Sequence, residues 1–172
     1  LLPSIAPHVK SSNELLKELN SFLCRNNIES NFVTALLGII DLKTGKLQFS
    51  NCGHVPLYIR KMDRSFTKYG ETHATALGVF ENLNIGYDEL DLTIGDELIL
   101  YTDGVTEAMN VDEEFLGFTG LEEILRKLPA PNPETTATMI LESVHHFARG
   151  SSHKDDITLL VIDYKHPGFL ED

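Results

Sequence analysis

Two acidic segments stand where a strand pattern meets a turn. Thr102-Asp103-Gly104 closes the apolar run Glu97-Leu98-Ile99-Leu100-Tyr101, and Asp155-Asp156 opens the β-branched and aromatic run over 157–164. If the two runs are antiparallel neighbours, the end of one lies beside the start of the other. Asp103 then meets the Asp155/Asp156 pair at one edge of a sheet. Carboxylates grouped in this way repel one another unless a cation compensates them. A set of oxygen donors, with no Cys or His at ligand spacing, favours a hard ion such as Mg²⁺ or Mn²⁺ over Zn²⁺. Each segment also has a plainer reading, because Asp-Gly is a common turn dipeptide and an Asp pair before a strand is a common solvated turn. Spacing alone leaves both readings open.

The elements that must position these residues follow from periodicity and punctuation. Ser11, with Glu14 three residues on, reads as a capping box, and Leu15, Leu16, Leu19, Phe22 and Leu23 give the following helix one apolar face. Residues 32–41, nearly all apolar, read as a buried strand, and Lys43-Thr44-Gly45-Lys46 as the turn to a hairpin partner carrying Leu47 and Phe49. Asn51-Cys52-Gly53-His54 breaks that partner. Extended structure resumes over 55–60, and Leu90, Leu92 and Ile94 alternate with polar residues as a half-buried strand before the Gly95-Asp96 turn. Thr119 with Glu122 reads as a second capping box, with Leu121, Ile124, Leu125 and Leu128 as its apolar face. Asn132 as cap and Pro133 at the first helical position open a third helix, whose apolar face is Ala137, Ile140, Leu141, Val144, Phe147 and Ala148. Hairpin-linked strands with helices gathered toward the two ends of the chain predict an α+β fold with antiparallel sheets.

Composition bounds the function classes. The 172 residues carry 14 Lys+Arg against 26 Asp+Glu, a net charge of −12. That balance argues against a nucleic-acid partner and against contact with an anionic membrane surface. No apolar stretch reaches the roughly 20 residues of a membrane helix. Cys24 and Cys52 make no disulfide framework and suit reduced thiols in a cytoplasmic protein. The acidic stretch Asn110-Val111-Asp112-Glu113-Glu114 lacks the glycine and ligand alternation of a calcium loop. His145, His146 and His153 do not make a zinc site, since adjacent helical residues point to different faces.

Taken jointly, the motifs resemble a known family. Tyr101-Thr102-Asp103-Gly104-Val105-Thr106-Glu107-Ala108 resembles the signature of the SpoIIE/RsbU-type branch of the PPM (type 2C) metal-dependent protein phosphatases. Asp155-Asp156-Ile157-Thr158, Asn51-Cys52-Gly53-His54, Phe32-Val33-Thr34-Ala35 and Ala76-Leu77-Gly78-Val79-Phe80 resemble further family segments, in the family's order, over about residues 13–164. The resemblance implies an antiparallel β-sandwich flanked by helices and hydrolysis of phosphoserine or phosphothreonine on a protein. It implies a two-metal centre of Mn²⁺ or Mg²⁺ that activates water. Asp103 then matches a metal-bridging or second-metal aspartate, Asp155 a second ligand, and Asp156 its neighbour. Gly104 permits close backbone packing and Thr158 orients Asp155, while His54 has two readings, a contact with phosphate or the metal's water and a structural imidazole after Gly at a strand break. The implied substrate is a STAS-domain anti-anti-sigma protein, and the implied controller is a sensor domain upstream in the same parent chain.

The family's further aspartate, in an Asp-x-Ser-Gly-x-Gly motif, and the Gly-Gly-Asp segment before it do not occur in this sequence. Residues 1–165 are therefore expected to be the C-terminal portion of a phosphatase domain whose first strands are missing, with 166–172 a tail. Weak or no activity is expected of these 172 residues alone. The rival expectation is a catalytically silent phosphatase-like module that keeps partner recognition.

Overall fold

A computed structural model describes residues 11–26, 31–151 and 155–165. In chain order its elements are α1 (Ser12–Asn26), β1 (Ala35–Ile40), β2 (Lys46–Cys52), β3 (Leu57–Arg60), β4 (Phe66–Tyr69), β5 (Asp88–Asp91), β6 (Glu97–Tyr101), a 3₁₀ turn (Asp103–Val105), α2 (Gly117–Lys127), α3 (Pro133–Phe147) and β7 (Leu159–Asp163). The expected opening segment 1–10, the tail 166–172 and His153 lie outside the described residues. The chain divides into two units, Leu1–His54 with Gly70–Leu92, and Val55–Tyr69 with Thr93–Asp172. Among the described residues all pairs of named strands are antiparallel, three strands in one sheet and four in the other. With three helices among the described residues, this is the expected α+β class.

In the first unit the β1–β2 hairpin is built by its turn. Asp41 accepts from the amides of Lys43 at 2.8 Å and Thr44 at 3.3 Å, and Gly45 adopts φ 77°, which a side chain disfavours. Those amide bonds hold the Asp41 carboxyl below the usual range. Strand β2 runs between β1 and β5, with Leu47 opposite both Ile40 and Leu90. Helix α1 packs on β1 and β2, and Leu16, Cys52, Leu77 and Ile85 form the buried cluster. Ser12, at the helix start, is buried with its hydroxyl 2.8 Å from that of Ser50.

The expected burial of residues 32–41 fails. Regular pairing begins only at Ala35, and Phe32, Val33 and Ile39 are 65%, 45% and 37% exposed. The reason is position: Phe32 and Val33 precede the strand, and among the described residues β1 pairs only with β2, at the edge of its sheet. Phe22, expected on the apolar face of α1, is also exposed.

The second unit orders its sheet β4-β3-β6-β7. Strand β4, for which the sequence analysis names no element, pairs with β3 from Leu57↔Tyr69 to Arg60↔Phe66. Strand β3 is buried along its whole length. Its Arg60 donates to Glu97 at 2.8 Å with both side chains fully buried. Thr136 of α3 also donates to Glu97, at 3.1 Å, and Arg60 also donates to the carbonyl of Pro129. The core proper is Tyr58, Ile99, Tyr101 and Val105 packed with Leu121, Leu125 and Leu128 and with Ile140 and Val144 of α3.

Asn132 caps α3 as expected, accepting from the Thr135 amide at 2.9 Å with Pro133 in the first turn. The Thr119/Glu122 capping box does not form. Helix α2 starts at Gly117, so Thr119 is already inside it, and the Glu122 carboxylate accepts instead from the Tyr58 hydroxyl at 3.2 Å. Among the described residues no helix is long and apolar enough to cross a membrane. Cys24 and Cys52 are free thiols.

Candidate functional site

Strands β6 and β7 pair with Tyr101 opposite Leu159, so the two acidic segments meet as expected. The pairing continues past the strands. The Thr102 amide donates to the Thr158 carbonyl at 3.0 Å. The Thr158 amide donates to the Thr102 hydroxyl at 2.9 Å, and that hydroxyl donates to the Asp156 carbonyl at 3.3 Å. Asp103 follows at once. Its carbonyl accepts from the Glu107 amide at 2.7 Å and the Thr106 hydroxyl at 3.2 Å, and the Val105 amide closes the 3₁₀ turn on the Thr102 carbonyl at 3.0 Å.

Gly104 makes the junction possible. A Cβ there would stand 2.4 Å from the Asp156 carbonyl oxygen, so only a glycine lets the turn and the Asp155-Asp156 backbone come this close. Below the turn, Val105 and Ala108 are buried in the core. Above it, Asp103, Asp155 and Asp156 are exposed. The Asp155 carboxylate accepts from the Asp156 amide at 2.8 Å, while the Asp103 carboxylate has no partner among the described residues. The junction thus offers exposed anionic oxygens on a base fixed by packing and hydrogen bonds.

Among the described residues no three His, Cys, Asp or Glu side chains gather closely enough to hold an ion alone. The donors present still suit one kind of ion. Mg²⁺ is commonly bound by one or two carboxylates and completes its shell with water and substrate phosphate. The close backbone approach at Gly104 brings two such carboxylate-bearing segments together, and oxygen donors alone do not suit Zn²⁺.

The remaining expected residues fall as follows. Thr158 ties the junction through its backbone. His54 lies in the first unit, after β2. Its amide donates to the Asn51 side chain at 2.8 Å, that side chain donates back to the His54 carbonyl at 2.9 Å, and its Nδ1 lies 3.2 Å from the Thr34 hydroxyl. The Asn51-Cys52-Gly53-His54 segment is therefore a side-chain-clamped turn.

Beside the junction, a cavity of about 460 Å³ opens between the end of α3 and the Asp155–Ile157 segment, with Gly104, His145 and Arg149 among its lining residues. Arg149 was not singled out by the sequence reading. One basic residue just past a helix reads as a partner of the helix dipole, and nothing local marks it otherwise.

The fold is shared with PP2C-type phosphatases. The PP2C phosphatase domain of SpoIIE from Bacillus subtilis, solved with a fragment of its regulatory domain, superposes with a TM-score of 0.81 at 23% identity, covering 96% of this chain and 48% of that one. The SiaA-PP2C domain of Pseudomonas aeruginosa gives 0.78 at 18% identity, over 94% of this chain and 63% of that one. The family model described as "Stage II sporulation protein E (SpoIIE)" matches residues 2–165, and the chain belongs to that family. Protein IcfG of Synechocystis is 33% identical over 131 residues, 76% of this chain and 20% of IcfG. The phosphoserine phosphatase RsbP of Bacillus subtilis is 28% identical over 159 residues, 91% of this chain and 37% of RsbP. The chain thus spans well under half the length of these two relatives.

Proposed function

We propose that the chain is the catalytic part of a metal-dependent phosphatase that removes phosphate from phosphoserine or phosphothreonine of a protein. The observation that carries the reading is the β6–β7 junction, where Asp103 and Asp155 reach one sheet edge with Gly104 packed on the Asp156 backbone. The similarity to a named phosphoserine phosphatase supports the same chemistry.

In this reading Asp103 and Asp155 hold Mn²⁺ or Mg²⁺, in a two-metal centre, with Asp156 beside them. A bound ion supplies charge neutralisation on the phosphoryl oxygens and lowers the pKa of the attacking water. The chain's own residues do the positioning. The Asp156 amide orients the Asp155 carboxylate, and the Thr102–Thr158 bonds fix the spacing of the two acidic segments. The substrate class is a phosphorylated STAS-domain anti-anti-sigma protein in the cytoplasm, with a sensor domain upstream in the parent chain.

The test is Mn²⁺-dependent hydrolysis of a phosphoserine protein by the full-length protein, beside Mn²⁺ affinity from electron paramagnetic resonance. Asp103→Ala is expected to abolish hydrolysis and weaken Mn²⁺ binding at least about tenfold, the loss associated with one strong charged contact. Retained activity in that variant sinks the ligand assignment. A wild-type protein that binds its partner without Mn²⁺-dependent hydrolysis is the silent module instead.

A further inference from the structure

The second unit uses most of its described basic side chains in ion pairs. Arg60 pairs with Glu97, Lys61 with Asp96, Lys68 and Arg126 with Glu122, and Lys165 with Asp163. Arg64, Lys127 and Arg149 are in none of these pairs, and of the three only Arg149 lines the cavity beside the junction. The Arg149 guanidinium makes no hydrogen bond or ion pair among the described residues, although the chain carries a net charge of −12. A cation beyond a helix often serves the last carbonyls. Here the backbone does that work, with the Ala148 amide donating to the Val144 carbonyl at 2.9 Å and the Arg149 amide to that of His146 at 3.3 Å.

Arg149 instead lines the cavity of about 460 Å³ that it shares with Asp155 and Gly104. Val144, Ala148 and Ile157 give this cavity an apolar wall. Its volume exceeds what a phosphate group alone fills, and it lies within the range of small-ligand pockets. A guanidinium fork matches two phosphoryl oxygens at once. The combination of one unused fork, one apolar wall and one carboxylate segment suits the phosphate monoester of a serine side chain.

We propose that this cavity is the phosphoserine subsite, with Arg149 binding the non-bridging phosphoryl oxygens and the apolar wall taking the organic part of the ester. The assignment rests on the metal reading above, since Asp155 in the same cavity repels a phosphate dianion unless a cation compensates it. Arg149 then contacts the substrate directly, and Arg149→Lys keeps its charge but loses the fork.

The probe is inorganic phosphate, titrated calorimetrically into the Mn²⁺-loaded full-length protein, with Mn²⁺ affinity and the thermal midpoint measured on the same samples. Arg149→Ala is expected to weaken phosphate binding about 10- to 100-fold, the worth of a charge-assisted pair. Arg149→Lys should fall between, with Mn²⁺ affinity and thermal midpoint unchanged in both. Equal phosphate affinity in wild type and Arg149→Ala, with Mn²⁺ bound, overturns the Arg149 assignment alone. A protein that takes up no Mn²⁺ overturns the metal reading and this assignment with it.

Discussion

Replacing Gly104 with alanine puts one methyl group into the β6–β7 junction. The added Cβ would lie 2.4 Å from the Asp156 carbonyl oxygen, 3.1 Å from its carbon and 3.4 Å from Ile157 Cγ1. The obstacle is backbone, which cannot rotate away as a side chain does. To restore ordinary contact, the turn and the Asp155-Asp156 segment must part by about 1 Å, an overpacking that costs about 1–3 kcal/mol. Activity should suffer more than stability, since a misplacement of about 1 Å at a reacting centre lowers the rate about 100-fold.

The assay is Mn²⁺-dependent phosphoserine hydrolysis beside urea unfolding of the same full-length protein. Gly95→Ala is the control. There φ is 87° and the Cβ would meet the flexible Met62 side chain at 2.5 Å, in the turn before β6 and at the opposite end of that strand from Asp103. It should lower stability by about 1–2 kcal/mol through left-handed strain and leave the rate near wild type. Wild-type activity in Gly104→Ala, or equal rate losses in both variants, would refute the reasoning that the close approach sets the carboxylate geometry.

Two further outcomes are expected. Glu97→Ala leaves the fully buried Arg60 guanidinium uncompensated and should cost about 3–5 kcal/mol in urea unfolding. The double change Arg60→Met with Glu97→Leu should cost far less, and a double variant as unstable as the single would contradict the desolvation argument. Burial pushes the Cys52 thiol up from 9.0 to about 11, so the unfolded chain gives up this proton first. The stability gained by keeping the thiol neutral is complete below about pH 9 and is lost as pH rises through about 11. The urea midpoint should therefore fall more steeply from pH 9 to 11 in wild type than in Cys52→Ala, and parallel slopes would remove the effect.

Local chemistry made several parts of the fold legible. Asn132-Pro133 announces a helix start because the cap bond to Thr135 is three residues away. Lys43-Thr44-Gly45-Lys46 announces a hairpin for the same reason of range, and Asp41 clamps its amides. Thr119-Glu122 had the same local credentials and failed, because the helix already begins at Gly117 and Glu122 is engaged by Tyr58 of β3. The expected burial of residues 32–41 failed because apolar character says nothing about whether a strand runs at a sheet's edge or its centre. In the site, Asp103 and Asp155 were readable as strand-end acids within recognisable motifs. Arg149 was not, since its interest arises from a missing ion pair and a shared cavity, and neither is written in neighbouring residues.

The sequence by itself determined most of the element types, the family and the placement of acids at two strand ends, because alternation, caps and turn residues act within a few positions. Only the tertiary structure decided that β6 and β7 are partners, that Tyr101 stands opposite Leu159, and that Gly104 rests on the Asp156 backbone. Those facts depend on contacts between residues more than fifty positions apart. Strand pairing and register are set by burial across the whole sheet, which local sequence does not encode.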